Sequence, residues 1–370
     1  MIPVPWRRLL AAAFLSTAVC LAALAWNYRS TYDYMGGLVD AAPDAAGINL
    51  MNHDFPDGSQ SKQGGNHDGA FFYAIARDVT DPLTAARSLD RPRYRLQRIL
   101  FPLMARAIYP VGVGEGLVGS LLVVGTLGVF GGAVAMGVLA ATLRGPWWLG
   151  ALFPFFTGSM LSLRISTPDP LAVALALGAI AASLRSQHHT AVALGILAVL
   201  TKETSLLLLV GFATWRRDRP GLWLAVGPSI AVASWFAFLH ALELPPGREP
   251  EVIEFGPPFA GWLDAVRFWA NVPSNRDETL WYLGAFNIWT ATLLGITSVA
   301  WRGLRHPLAW PIVTQLVLLV FLTWIPLAPE RNGTRTVLPL LALSVVTICT
   351  PGVERPSFIS VALPSSSAKS

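Results

Sequence analysis

The apolar residues of this chain come in runs long enough to cross a bilayer. The segments 9–26, 117–143, 221–242 and 308–327 contain no Asp, Glu, Lys or Arg. A helix needs roughly 20 such residues to span the hydrocarbon core. Inside lipid every backbone polar group must be satisfied internally, which leaves helices and closed barrels as spanning structures. Of the 370 residues, 53% are hydrophobic and 13% charged, whereas a soluble domain carries roughly 25% charged residues. The expectation is an all-α integral membrane protein with about ten transmembrane helices, since each run of this length accounts for one pass.

The spans expected from the pattern are 9–26, 115–143, 147–163, 169–184, 190–200, 204–215, 221–242, 279–301, 308–328 and 336–350. They make one polytopic domain over 1–350, followed by a Ser- and Pro-rich tail, 351–370, that reads as disordered and cytoplasmic. The short pieces 190–200 and 204–215 are separated by Lys202-Glu203. Counting them as two passes puts Arg7, Arg8, Arg144, Arg185, Arg216, Arg217, Arg219, Arg302, Arg305 and Arg355 in cytoplasmic loops, as the positive-inside rule requires. Both termini are then cytoplasmic, and the long segments 27–110 and 243–278 are external. Loops of that length are usually functional. Within them, 69–77 sets Phe71, Phe72 and Ile75 on one helical face, and 259–269 sets Trp262, Val266 and Trp269 likewise. Both read as interfacial helices, and 99–109 is a further amphipathic candidate.

The formal charge of +5 needs no nucleic-acid partner, because basic residues gather in cytoplasmic loops and at anionic headgroups. Cys20 and Cys349 both lie in apolar segments and read as neither a disulfide nor a nucleophile. Scarce lysine beside abundant Arg, Ala and Gly points to a GC-rich bacterial genome. The compartment expected is therefore the bacterial inner membrane.

The chemically useful charges fall on the external side in this topology. Asp68 opens the 69–77 helix and reads either as its N-cap or as a general base for an acceptor hydroxyl. Asp54 and Asp57 read as solvated loop residues, and a metal cluster built from His53, Asp54, Asp57, His67 and Asp68 is a further alternative. Lys202 and Glu203 read either as a plain outer turn or as the floor of a polar cavity. In the cavity, Lys202 grips a phosphate and Glu203 supports it. Arg164 and Asp169 flank a short turn, where Asp169 caps the next helix or pairs with Arg164. Glu330, Arg331 and Arg335 sit in the last external loop, and either arginine suits a phosphate or a snorkelling contact. Arg98 shares a face with Arg95 and could reach a lipid phosphate, while Arg93 and Arg95 read as headgroup contacts. No Gly-rich phosphate loop, nucleophile elbow or zinc motif occurs.

Two stretches carry a resemblance: His67-Asp-Gly-Ala-Phe-Phe-Tyr-Ala-Ile-Ala-Arg-Asp78 and Tyr94-Arg-Leu-Gln-Arg-Ile-Leu-Phe-Pro102. They resemble the paired first-loop motifs of bacterial polytopic GT-C glycosyltransferase-like proteins. Thr167-Pro-Asp-Pro170, Thr201-Lys-Glu-Thr204 and 331–339 fall where such proteins carry an outer-turn acid, a mid-membrane Lys-Glu and a basic final loop. The resemblance implies sugar transfer from a polyprenyl-phosphate donor to a glycan or lipid acceptor at the external leaflet. It assigns Asp68 as base and Lys202, Arg331, Arg335 and Arg98 to the donor phosphate. Glu203, Asp169, Arg164 and Glu330 are the supporting residues. The chain departs from the pattern in lacking an adjacent acidic pair in the first loop. No cofactor follows from these residues, and a divalent cation stays an open question. A lipid-linked glycan flippase and a non-catalytic subunit of a glycan-export complex are the alternatives.

Overall fold

The computed structural model describes residues 4–29, 35–39, 47–55, 68–247, 254–272 and 278–351. These residues are helical, with one isolated antiparallel bridge between Phe255 and Leu322. Helix α1 (Trp6–Arg29) is followed by the short α2 (Ile48–Asp54), α3 (Asp68–Arg77), α4 (Pro82–Ala86), α5 (Pro92–Leu96) and α6 (Leu100–Ile108). The body of the bundle is α7 (Glu115–Thr142), α8 (Thr157–Arg164), α9 (Asp169–Leu184), α10 (His188–Thr201), α11 (Ser205–Arg216) and α12 (Arg219–Ala241). Then come α13 (Ala260–Ala270), α14 (Glu278–Arg302), α15 (Ala309–Phe321), α16 (Trp324–Leu327), α17 (Glu330–Thr336) and α18 (Leu338–Cys349).

Among the described residues, four helices are long and apolar enough to cross a membrane, over Trp6–Trp26, Glu115–Thr142, Arg219–Ala241 and Trp281–Arg302. The others among the apolar helices are shorter. Helix α11 has 12 residues, and at about 1.5 Å per residue it is about 18 Å long, less than a hydrocarbon core of about 30 Å. Such short helices stop at breaks in the chain, and the breaks carry the polar residues. Lys202 and Glu203 occupy the break between α10 and α11, where Lys202 takes up an extended conformation.

Two expected continuous spans are corrected. The first, 147–163, is a 3-10 helix over Trp147–Phe155 with Pro154 inside it, and α8 follows only after an extended Phe156. Proline removes a backbone donor and clashes with the preceding turn, which favours a break at Pro154, although α12 continues through Pro228. The second, 308–328, ends at Phe321, and Leu322 and Thr323 are extended before α16. That break is stapled by the second long loop. Thr323 donates to the Glu254 carbonyl at 3.0 Å, and Gly256 donates to the Phe321 carbonyl at 2.8 Å. The final segment expected as a loop is helical, as α17.

Helix α3 buries within the protein the face that an interfacial helix would turn to lipid. Phe71, Phe72 and Ile75 are all buried, along with the rest of 69–76. Its Gly69 allows this, since a Cβ there would stand 2.5 Å from the Ile165 carbonyl oxygen and 2.8 Å from that of Leu38. Backbone therefore lies directly on backbone, and the start of α3 is pressed against the turn that precedes α9. On α13, Val266 is exposed while Trp269 is buried. Cys20 is buried and Cys349 exposed, and both are free.

Helices α9, α11 and α18 share a direction. Each starts beside the charged cluster described below and finishes at the other end of the bundle. At that far end Arg216 donates to the Ser183 carbonyl and, at 2.8 Å, to the Ser183 hydroxyl. Arg302 donates to the carbonyls of Thr347 at 3.2 Å and Ile348 at 2.7 Å.

Candidate functional site

Three carboxylates of the cluster stand at or beside helix starts: Asp68 on α3, Asp169 on α9 and Glu203 just ahead of α11. A helix start carries partial positive charge from its unpaired N–H groups, so anions are favoured there. The cations come from elsewhere. Arg95 and Arg98 lie at the end of α5 and just after it, Lys202 in the α10–α11 break, and Arg335 in the last turn of α17. Arg335 is seated by close contact of α17 with α8, because a Cβ on Gly158 would stand 2.5 Å from the Thr334 carbonyl oxygen.

Most of these groups form a chain of ion pairs, and Arg98 with Glu203 makes a separate pair beside it. Asp68 Oδ1 accepts from Arg95 at 2.9 Å, and its Oδ2 accepts from Arg335 at 2.9 Å. Arg335 Nη1 reaches Asp169 Oδ2 at 3.4 Å, and Asp169 Oδ1 is held by Lys202. Arg98 binds Glu203 through two nitrogens, at 2.9 and 3.2 Å, and donates to the Tyr94 hydroxyl at 2.7 Å. Arg95 also grips Asp90 through two nitrogens, at 2.9 and 2.8 Å. Arg91 reaches Glu254 across the two long loops at 2.8 Å. The guanidiniums of Arg91 and Arg98 lie over the Tyr94 ring at 4.5 and 4.6 Å. Arg91, Arg95, Arg98, Lys202 and Arg335 thus face Asp68, Asp90, Asp169, Glu203 and Glu254, and the formal charges of the described cluster cancel.

Two cavities meet at this chain of pairs. The narrower, about 100 Å³, is walled on one side by Val173, Leu208, Gln315, Leu318 and Leu322. The wider, about 390 Å³, is walled by Asp68, Asp90, Arg95, Trp324 and Asn332. Arg98, Asp169, Lys202 and Arg335 border both. One cavity therefore pairs an apolar wall with a charged one, the other exposes slightly more polar than apolar surface, and cations stand where they adjoin.

Burial by itself would raise the Asp68 carboxyl. The guanidiniums of Arg95 and Arg335 overcome that and hold it well below the usual carboxylate range. Asp68 is accordingly an anion held by two cations, and in this pairing it is a weak base. Its side chain is 23% exposed, and that exposed part faces the wider cavity.

Of the residues singled out in the sequence, Asp68, Arg98, Asp169, Lys202, Glu203 and Arg335 come together. Asp169 does not cap α9 through its side chain and does not pair with Arg164. It pairs with Lys202 and Arg335, and Arg164 makes no ion pair among the described residues. The side chains of Glu330 and Arg331 lie outside the described residues. Asp54 is not a solvated loop residue. It ends α2 fully buried, held by Arg77 at 2.8 Å and by the Tyr73 hydroxyl at 2.8 Å. Asp57 and His67 lie outside the described residues, and no three potential metal ligands converge among the described ones.

Arg95 is the main correction. It is not a headgroup contact but is buried at 6% exposure, stacked over Phe71 at 4.2 Å between Asp68 and Asp90. Arg93 is exposed, as a headgroup contact should be. The missed signal was spacing. Arg91, Arg95 and Arg98 recur at i, i+4 and i+7, one face of a helical turn, and Arg93 falls off that face. No family model, curated protein or solved structure matches this chain.

Proposed function

We propose that this chain is a polytopic membrane glycosyltransferase of the GT-C type. In this reading it has ten passes in the bacterial inner membrane, with the charged cluster facing outside. It transfers a sugar from a polyprenyl-phosphate donor to a glycan or lipid acceptor. The observation that carries the reading is the meeting of an apolar-walled cavity and a more polar one at Lys202, Arg98 and Arg335. A prenyl-phosphate sugar has the same order of parts: apolar chain, phosphate, polyol. Arginine forks match phosphate oxygens, and lysine supplies a point charge.

The reaction is a single displacement. The acceptor oxygen forms a bond to the anomeric carbon, and the bond from that carbon to the phosphate oxygen breaks. The phosphate leaves with the electron pair and is held by Lys202 and Arg335. The acceptor proton passes to Asp68. Among the described residues the charges of the cluster already cancel, so none of its described cations is spare for an incoming phosphate. The phosphate must take Lys202 and Arg335 away from Asp169 and Asp68. Asp68 then keeps Arg95 alone, its carboxyl rises towards the ordinary range, and it becomes a better base once the donor is seated.

Purified protein given a polyprenyl-phosphate sugar and acceptor tests this. Asp68→Asn should lose about 10²–10⁴-fold in rate, the usual yield of a positioned base. Activity left intact in that variant would sink the assignment. The pH dependence gives a second check. The acid limb of kcat, which reports the donor-bound enzyme, should lie at higher pH than that of kcat/KM, which reports the free one. Coincident limbs would mean that the donor does not re-pair the cluster.

A further inference from the structure

Gln315 sits midway along α15, within a buried stripe made by Ala309, Ile312, Leu318 and Leu319. It is 3% exposed, and its Nε2 finds no hydrogen-bond partner. An amide in an apolar helix stripe needs a partner, because a buried donor left unmade carries the full cost of its lost hydration. Leucine or methionine would fill the same volume at no such cost. Gln315 lines the narrower cavity together with Asp169, Lys202, Arg335, Leu208, Leu318 and Leu322. Nε2 itself is enclosed, so the amide must turn about its terminal torsion towards the cavity, where whatever satisfies it must present an acceptor oxygen among apolar neighbours.

We propose that Gln315 is a binding residue whose Nε2 donates to the phosphoester oxygen where the lipid's phosphate joins its apolar chain. This rests on the lipid-phosphate reading of the site and extends it. Lys202 and Arg335 hold the free oxygens of the phosphate, while Gln315 reads the oxygen that carries the chain. The site would thereby distinguish a prenyl phosphate from free phosphate by one directed hydrogen bond as well as by apolar contact.

The test is binding of farnesyl phosphate and of inorganic phosphate to the full-length, detergent-solubilised chain, in native form and as Gln315→Leu and Gln315→Glu. Gln315→Leu should bind farnesyl phosphate about tenfold more weakly, the range expected for one hydrogen bond, and inorganic phosphate as before. Gln315→Glu should bind farnesyl phosphate more weakly still, because a carboxylate would face the phosphate. The ligand-free melting temperature of Gln315→Leu should equal or exceed that of the native chain, since the orphan amide is gone. A purely structural glutamine would instead lower it. Equal affinity of native and Gln315→Leu proteins for farnesyl phosphate overturns the inference and leaves the lipid-phosphate site standing. Equal weakening of both ligands overturns the ester contact specifically. A native chain that binds no farnesyl phosphate overturns the lipid-phosphate reading, and this inference with it.

Discussion

The two ends of the bundle use arginine differently, although Arg216 at the far end also pairs with Asp218 at 2.8 Å. At the end where α9, α11 and α18 finish, Arg216 and Arg302 donate to helix-terminal carbonyls. Asp218 caps α12 through the Gly221 N–H at 2.8 Å, and Trp215 donates to the Arg305 carbonyl at 2.8 Å. Those are backbone debts: the last carbonyls of a helix have no partner inside it, and a nearby cation satisfies both the hydrogen bond and the dipole. At the end where the same helices begin, Arg95, Arg98 and Arg335 bind carboxylates around two cavities instead. Guanidiniums placed on backbone hold helices together. Guanidiniums placed on carboxylates beside a cavity can be given up to another anion. The difference separates structural charge from exchangeable charge, and it follows from which end of each helix a side chain meets.

Removing one partner should hurt the two ends unequally. Asp169 is 5% exposed and is held by both Lys202 and Arg335. Breaking a buried pair by deleting one member costs about 3–5 kcal/mol, because the remaining charge is stranded. Asp169→Ala should therefore lower the thermal unfolding midpoint sharply. A melting curve indistinguishable from that of the native chain would show the cluster to be well hydrated, and the contrast between the ends would lose its basis.

Acid should separate the ends next. His306 is 4% exposed between α14 and α15, with its Nε2 at 3.2 Å from the Thr350 hydroxyl. Burial, aided by the Arg302 charge, lowers its pKa from 6.5 to about 4. The unfolded chain then binds a proton that the folded chain refuses, so stability falls as pH drops from 6.5 towards 4. The shift corresponds to on the order of 3 kcal/mol across that window. Asp68 acts the other way round in charge. Its lowered carboxyl contributes stability that is fully present above the ordinary value of 3.8 and is lost only as pH falls below it. Thermal scans between pH 7 and 5.5 should thus report the His306 end, and His306→Gln should flatten them. A slope that survives His306→Gln would assign the titration elsewhere.

Much of this division was legible in the chain, and what was missed has physical reasons. The helices α9, α10 and α11 follow from apolar runs bounded by charge, and Lys202-Glu203 marks a break in the structure, since two charges inside a lipid-facing helix are costly. The split of 147–163 was also readable, from Pro154. The break after Phe321 was not, since Leu322 and Thr323 carry no breaker and the extended turn depends on the Thr323 N–H donating to the Glu254 carbonyl and the Gly256 N–H donating to the Phe321 carbonyl, partners distant in sequence. Asp68, Asp169 and Lys202 stood out as charges that needed partners. Which partners they took depends on α17 packing against α8 through Gly158, a contact between segments far apart in the chain. Gln315 carries no charge, and one polar residue in an apolar run gives no signal until its neighbours are known.

The smallest predicted effect bears most directly on the division between the ends. Arg302 donates to two carbonyls at the finish of α18, and Gln in its place would keep a neutral donor while losing the charge and one fork. A cation at a helix C-terminus contributes about 0.3–1 kcal/mol when exposed and up to about 2 kcal/mol when partly buried. Arg302→Gln should therefore cost about 1 kcal/mol in thermal stability. It should leave farnesyl phosphate binding unchanged, because its partners are backbone groups that no ligand can claim. Arg335→Gln removes a similar charge from the other end, and there binding should be lost beyond any change in melting. If Arg302→Gln weakened binding as much as Arg335→Gln did, charge at the two ends would be coupled through the bundle, and the line between structural and exchangeable arginine would have to be drawn along α18 rather than between its ends.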